Sequence, residues 1–363
     1  MGKHYLITGG GGLLGRRIVN LICEDNIDDV TKITVYDLRV DEATRLNLAK
    51  WCGSTGVELS IVIGDINDTK KLSTALRSCN VVIHTAAVID YTGYTPHEVV
   101  WRANVEGTRS VLEAAATKGV CHVVYTSSMN GVFPNDNVDS FFGNEDTPYH
   151  GDPILPYGKS KREAERLVIA KNGDKMTGDK TMNTVALRLP WMYGEGDFLI
   201  KKHIDSFKYI KTIVAFLPNK VDQCYFGNSA WAHILAARRI QTHPERVGGK
   251  VFYVTDETPN GRYDETIQAF LEHRGFTTHP RVPFLPMWAW ISLLYVCATL
   301  TWIISLIGIR YDVLVTPKLH KQASVEFKLD GSRFRKEFNY RPRFPWKIAK
   351  TRIQLWVDSY MNR

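Results

Sequence analysis

Lys3 to Asp37 reads KHYLITGGGGLLGRRIVNLICEDNIDDVTKITVYD, and the order of its features decides the fold. A short apolar run, Tyr5-Leu6-Ile7, leads into Thr8 and four consecutive glycines. A helical pattern follows in Leu13, Leu14, Ile18, Leu21 and Ile22. A second β-rich run, Ile33-Thr34-Val35-Tyr36, then ends on Asp37. A strand, a glycine turn, a helix, a strand and an acid in that order make half of a dinucleotide-binding βαβ unit. Gly9 can take a tight turn that a side chain would obstruct, Gly12 lets backbone approach a pyrophosphate, and Gly15 lets the helix pack closely on the strand. The helix N-terminus offers N–H groups to phosphates. Asp37 lies 22 residues after Gly15, where a carboxylate accepts hydrogen bonds from an adenosine ribose and repels a 2′-phosphate. NAD is therefore the expected cofactor, with Arg39 close by as the one opposing signal.

The chain has 363 residues, enough for one large domain or two smaller ones. With 23% charged and 44% hydrophobic residues it has the composition of a folded protein. The net charge of +8 is concentrated between Arg333 and Lys350, and no basic run carries interleaved aromatics, so nucleic acid is not an expected partner. A membrane-facing or solvated basic surface accounts for the surplus. The six cysteines are scattered without a C-x-x-C pair, which excludes a disulfide framework and gives no metal site. The first strand begins within a few residues of Met1, so no signal peptide is expected.

The βα alternation continues. Glu58 to Ile63, Val81 to His84, His122 to Thr126 and Thr184 to Leu187 read as buried strands between amphipathic helices, the pattern of a doubly wound parallel Rossmann sheet. Ligands bind such sheets at the carboxyl ends of the strands. Asp65 follows one strand and could bond an adenine amino group or cap a helix, and Ala86 follows another where small side chains leave room for a cofactor. Asn104 is unfavourable within a helix and is expected to bond a neighbouring strand. Ser128 closes the strand before a long loop, 130 to 156, which is long enough to act as a lid. Tyr157 and Lys161 then share one face of a helix at i and i+4.

Removing a hydride from an alcohol requires that the hydroxyl proton leave as well. A phenol with a pKa of about 10 is a poor base at neutral pH, but a cation one turn away lowers that value. Tyr157 is thus the expected base, Lys161 the cation and a holder of the nicotinamide ribose, and Ser128 the group that orients the substrate oxygen. Tyr125-Thr126-Ser127-Ser128, Tyr157-Gly158-Lys159-Ser160-Lys161, Ala186 to Pro190 with Tyr193-Gly194-Glu195-Gly196, and Gly227 to Ala236 together resemble the 3β-hydroxysteroid dehydrogenase/Δ5-Δ4 isomerase family of the extended short-chain dehydrogenase/reductase superfamily. Gly143 to Tyr149 is similar to the C27-sterol branch. The resemblance implies NAD-dependent oxidation of a 3β-hydroxysteroid, then migration of the Δ5 double bond to Δ4, with the catalytic roles on Ser128, Tyr157 and Lys161. Where steroidogenic members have Pro-His-Ser between tyrosine and lysine, this chain has Gly158-Lys159-Ser160, which leaves the sterol and the isomerase step open. Asp90 is the nearest sequence candidate for the isomerase acid, or else a turn residue.

Val282 to Ile309 contains no charged residue, and Trp288 to Gly308 is long enough to span about 30 Å. The resemblance also implies that Phe327 to Trp356 packs back on the catalytic lobe, so a hairpin or in-plane insertion is expected over a crossing. Four regions are expected: 1–190 as the cofactor-binding core, 191–281 as a smaller substrate lobe, 282–310 as a membrane-associating segment, and 311–363 as a closing segment. Expected partners are a sterol, membrane lipid and a second copy of the chain. The expected location is the endoplasmic reticulum membrane with the catalytic domain in the cytosol, a mitochondrial membrane being the alternative. A sterol 4α-carboxylate 3-dehydrogenase and a non-catalytic NAD-binding regulator are the competing functions.

Overall fold

The computed structural model describes residues 2–25, 30–132, 140–149, 151–214, 219–279, 286–306, 316–322 and 325–362. In chain order the strands are β1 (Lys3–Thr8), β2 (Val30–Asp37), β3 (Glu58–Ile63), β4 (Val81–His84), β5 (His122–Ser128), β6 (Ser140–Gly143), β7 (Asn183–Leu189), β8 (Trp191–Tyr193), β9 (Thr212–Val214), β10 (Gln223–Tyr225), β11 (Lys250–Tyr253), β12 (Thr277–His279) and β13 (Glu326–Leu329). Seven form one sheet in the order β11-β7-β5-β4-β1-β2-β3. Every pairing in it is parallel. The strand order reverses between β1 and β4, which is where an open α/β sheet leaves a crevice. Tyr5, Ile7, Ile33, Val35, Val81 and Ile83 are fully buried on one face, and Leu6, Val82, Val123 and Ala186 on the other. Burial on both faces is why these strands read as continuous apolar runs.

β11 belongs to this sheet although it lies beyond residue 190, and helix Phe226–Thr242 packs against helix Leu13–Glu24. The expected substrate lobe therefore starts with β8, which pairs with β10, but lends the core its edge strand. The loop after Ser128 is not a free lid. β6 pairs in register with β13 from near the C-terminus, and residues 133–139 lie outside the described residues. The C-terminal segment packs on the core. Phe344 exchanges hydrogen bonds with the Asn228 side chain at 2.9 Å in both directions, and Ile353 and Val357 of helix Trp346–Met361 are fully buried.

Met287–Leu306 is one helix of 20 residues with no charged side chain. Residues 280–285 and 307–315, which hold the ends of the expected membrane segment, lie outside the described residues. Among the described residues no helix is long and apolar enough to cross a membrane.

Candidate active site

A cavity of about 890 Å³ opens at the carboxyl ends of the strands. It is lined by Gly9, Gly12, Gly15, Asp37, Asp65 and Ala86, and also by Ser128, Tyr157 and Lys161. The glycine turn, the two strand-end carboxylates and the candidate catalytic side chains thus share one cavity, whereas Asp90 is not among its lining residues.

The glycine turn is built for a cofactor. Gly9 has φ of +67°, and a Cβ there would sit 2.8 Å from the Ala86 backbone. A Cβ on Gly15 would lie 2.3 Å from the Gly9 carbonyl oxygen. No side chain caps helix Leu13–Glu24, so its first N–H groups are left to a ligand. Asp37 ends β2, and its carboxylate accepts from the main-chain N–H groups of Gly11 (3.0 Å) and Arg39 (3.3 Å). Asp65 accepts from the Asn67 N–H and amide at 2.9 Å and pairs with Arg102 at 3.0 Å. The helix cap is Asp68 instead, which accepts from the Lys71 N–H. An adenosine diphosphate moiety fits this end of the cavity: small residues at the turn, free N–H groups for phosphate and a carboxylate for ribose.

The candidate catalytic side chains come from two elements. Ser128 ends β5, and its Oγ accepts from the Asn130 N–H at 3.2 Å. Its hydroxyl also bonds the Tyr157 side chain on the cavity wall. Helix Pro156–Ala170 starts with proline at its first turn, which fits a position without an N–H partner. Tyr157, Lys161 and Glu165 follow on one face at intervals of four. Lys161 donates to the Thr126 carbonyl at 2.5 Å and lies 4.4 Å from the Tyr125 ring centroid. Lys159 faces away, 3.7 Å from Asp152, as its spacing predicts.

The electrostatics correct one expectation. Lys161 was expected to lower the phenol pKa, yet burial dominates and pushes Tyr157 up to about 12, a hydrogen bond from Ser128 pulling the other way. Burial likewise brings Lys161 down to about 7, against the opposing pull of Glu165. Burial thus keeps Tyr157 protonated and leaves Lys161 titrating near neutral pH, so that its charged form remains available to favour the phenolate.

Below this pair lies a buried network that the sequence did not reveal. Arg188 donates to both Glu165 oxygens, at 2.9 and 2.7 Å, and to the Tyr253 hydroxyl at 3.2 Å. Ser127 donates to Glu165 at 2.5 Å, and Tyr149 donates to it as well. On the other side Asn104 accepts from the Val88 N–H at 2.7 Å and donates to the Val88 carbonyl and to Ser160 Oγ. Its partner is therefore the segment after β4, not a strand, and the asparagine sits in a π-helical turn, Arg102–Glu106. His233 is a packed residue: its ring lies between Thr126 Oγ1 and the Ser229 carbonyl, and burial lowers its pKa to about 4.

Asp90 does not face the cavity. Its carboxylate accepts from Thr92 N–H and hydroxyl, Gly93 N–H and Thr95 N–H. Burial raises its pKa, but these bonds outweigh it and the net shift is down. The turn reading of Asp90 holds, and the isomerase reading loses its geometry. Asp197 is the carboxylate on the cavity wall that the sequence reading missed. It caps helix Phe198–Phe207 through the Leu199 N–H, and burial pushes it up to about 6. Gln322 was missed too; its amide donates to Asn130 Oδ1 at 2.8 Å across the substrate side of the cavity. The signal for both is spatial only. Trp191, Met192, Leu199, Leu319, Val325 and Phe327 give the wall an apolar stretch. The cysteines are free, and among the described residues no cluster could hold a metal ion.

Solved structures share the fold. The chain is similar to a dTDP-glucose 4,6-dehydratase, DesIV of Streptomyces venezuelae with NAD bound, at 20% identity and a TM-score of 0.72 over 99% of this chain and 98% of that one. It is also similar to MoeE5 in complex with UDP-glucuronic acid and NAD, at 18% identity and a TM-score of 0.69 over 98% and 99%. Sequence relatives are closer. It is 32% identical to 3 beta-hydroxysteroid dehydrogenase type 7 of Mus musculus over 98% of this chain and 95% of that one. The identity to the 3 beta-hydroxysteroid dehydrogenase/Delta 5-->4-isomerase of Vaccinia virus (strain Copenhagen) is 32% over 98% and 99%. Residues 6–286 match the 3-beta hydroxysteroid dehydrogenase/isomerase family, and with the relatives this assigns the chain to that family.

Proposed function

We propose that the chain oxidises a 3β-hydroxysteroid to the 3-ketosteroid with NAD⁺, and then moves the Δ5 double bond to Δ4. The observation that carries this reading is the single cavity. It joins an uncapped glycine turn and the Asp37 carboxylate to Ser128, Tyr157 and Lys161, and ends in an apolar wall suited to a steroid skeleton. When bound, NAD⁺ supplies the hydride acceptor and a positive ring. Tyr157 takes the C3 hydroxyl proton, Ser128 donates a hydrogen bond to the substrate oxygen, and Lys161 stabilises the phenolate and holds the ribose. Isomerisation needs a group that carries a proton from C4 to C6. Asp197, raised toward neutrality on the cavity wall, has the required chemistry.

The helix Met287–Leu306 anchors the protein in a membrane without crossing it. After the helix the chain is back on the catalytic lobe at Thr316, whose hydroxyl donates to the Thr92 carbonyl, while Thr301 within the helix meets Tyr94 of the same loop. The catalytic domain then lies in the cytosol, at the endoplasmic reticulum, and a homodimer is the proposed assembly. Incubation with NAD⁺ and a sterol panel, with mass detection, tests the activity. A product two hydrogens lighter that absorbs as a conjugated enone is expected. Loss of carbon dioxide from a 4α-carboxysterol alone would replace this reaction with the decarboxylating one. No turnover of any sterol, with NAD⁺ bound, would leave a regulator.

A further inference from the structure

One side of the cavity rim is apolar, while the exposed Glu98 and Arg102 lie on another part of the lining. Ile89 and Phe198 line the cavity but leave 62% and 48% of their surfaces exposed. The Phe198 ring lies 6.4 Å from that of Tyr91, another lining residue. Tyr94, in the same loop, is 46% exposed, and its hydroxyl is 3.4 Å from Thr301 Oγ1 on the apolar helix. Thr316 bonds the Thr92 carbonyl at 3.0 Å, and the Lys318 side chain packs beside Gly93. The apolar helix, at Thr301, and the segment after it, at Thr316 and Lys318, therefore meet the catalytic lobe at loop 90–95, beside the rim residues Ile89 and Tyr91.

The exposed side chains of the helix extend this surface with Trp288, Leu293, Tyr295, Val296, Leu300 and Ile303. A contiguous apolar patch of this kind marks an interface. Its charges identify the occupant. Lys202 Nζ lies 5.6 Å from the Phe198 ring centroid, Lys318 is exposed beside Gly93 of the loop, and Lys321 is exposed on the same short helix as Lys318. Asp90, the acid of that loop, is folded inward on four donors. Apolar and aromatic groups fringed by lysines match the boundary between acyl chains and anionic headgroups.

We infer that loop 89–95 and Phe198 form a portal that rests in an anionic bilayer beside the apolar helix, so that a sterol passes from the acyl chains into the cavity without crossing water. The inference deepens the sterol reading and rests on it.

Hydrogen exchange of the full chain, with and without vesicles of phosphatidylcholine containing phosphatidylserine, tests it. Peptides covering 89–99 should exchange several-fold more slowly on these vesicles, together with those covering 287–306, and less so on phosphatidylcholine alone. Tyr94→Ser should lower turnover of vesicle-held sterol several-fold, leave turnover of detergent-dispersed sterol unchanged, and still bind vesicles. Lys318→Glu should erase the preference for phosphatidylserine. Protection of 287–306 with 89–99 exchanging as in solution would overturn the portal and leave the anchor. Protection of neither would sink both. Protection of 89–99 that rises with protein concentration without vesicles would assign the patch to a second copy of the chain and overturn the lipid assignment. Protection on vesicles with no turnover of any sterol would uphold the lipid contact and remove the proposed reaction.

Discussion

Tyr157 sits under two opposed demands. Burial holds its proton, with a pKa of about 12, whereas oxidation needs that proton gone. The hydroxyl is the only difference in Tyr157→Phe, so hydride transfer should fall by about 10²–10⁴-fold, the usual worth of a positioned acid or base. Cofactor binding, read by nucleotide fluorescence, should stay near that of the parent; appreciable turnover would remove Tyr157 from the mechanism. Asp37→Ala should weaken NAD⁺ use and relax discrimination against NADP⁺ in paired kinetic assays, and a parent enzyme that used NADP⁺ better would contradict the role given to Asp37. Lys161 gives a pH signature in the cofactor-free protein. Its pKa is 10.5 when exposed and about 7 in the fold. Between those values the unfolded chain binds a proton that the folded chain does not, so stability rises with pH across that window. The urea midpoint of the parent relative to Lys161→Met should climb from about pH 7 to about pH 9. A flat or falling difference would refute a buried, neutral lysine. Asp197→Asn keeps an N-cap residue. It should slow isomerisation of a supplied Δ5-3-ketosteroid at least tenfold while sparing dehydrogenation, and equal rates would release Asp197 from proton transfer.

Helix Pro156–Ala170 does more than its first two turns announce. The spacing of Tyr157 and Lys161 is a local pattern, and it was legible. The partner of Glu165 is Arg188 on β7, and nothing periodic in the sequence couples them. The pair is buried, with side-chain exposures of 2% and 5%. Glu165→Gln leaves a guanidinium buried without its counter-ion and should cost about 3–5 kcal/mol in urea unfolding; a loss below about 1 kcal/mol would show that water reaches the site. The helix Pro317–Gln322 sets the opposite wall. Gln322→Ala frees the Asn130 side chain next to the catalytic serine and should raise KM for sterol several-fold with KM for NAD⁺ unchanged. An equal rise in both would make Gln322 a general structural residue.

Across the whole molecule, what could be read beforehand was what neighbours in sequence determine. The glycine turn, the strand ends at Asp37, Asp65, Ala86 and Ser128, and the Tyr157–Lys161 face all follow from periods of two or four residues. The pairing of β6 with β13 and the return of β11 to the sheet edge depend on tertiary contacts, which local periodicity does not record, whereas Asp90 closes on donors only two to five residues away and its turn reading was local. Phe327 of β13 is fully buried, stacks on Phe141 of β6 at 4.6 Å and lines the cavity. That pairing has a consequence in time. A chain made from its N-terminus at about 5–20 residues per second has its glycine turn and catalytic helix on the order of ten seconds before β13 emerges. The apolar helix emerges in between. A nascent chain therefore has its nucleotide-binding turn in place while the wall beside Phe141 is still missing a strand, and the cofactor end of the cavity can form before the opposite end is closed.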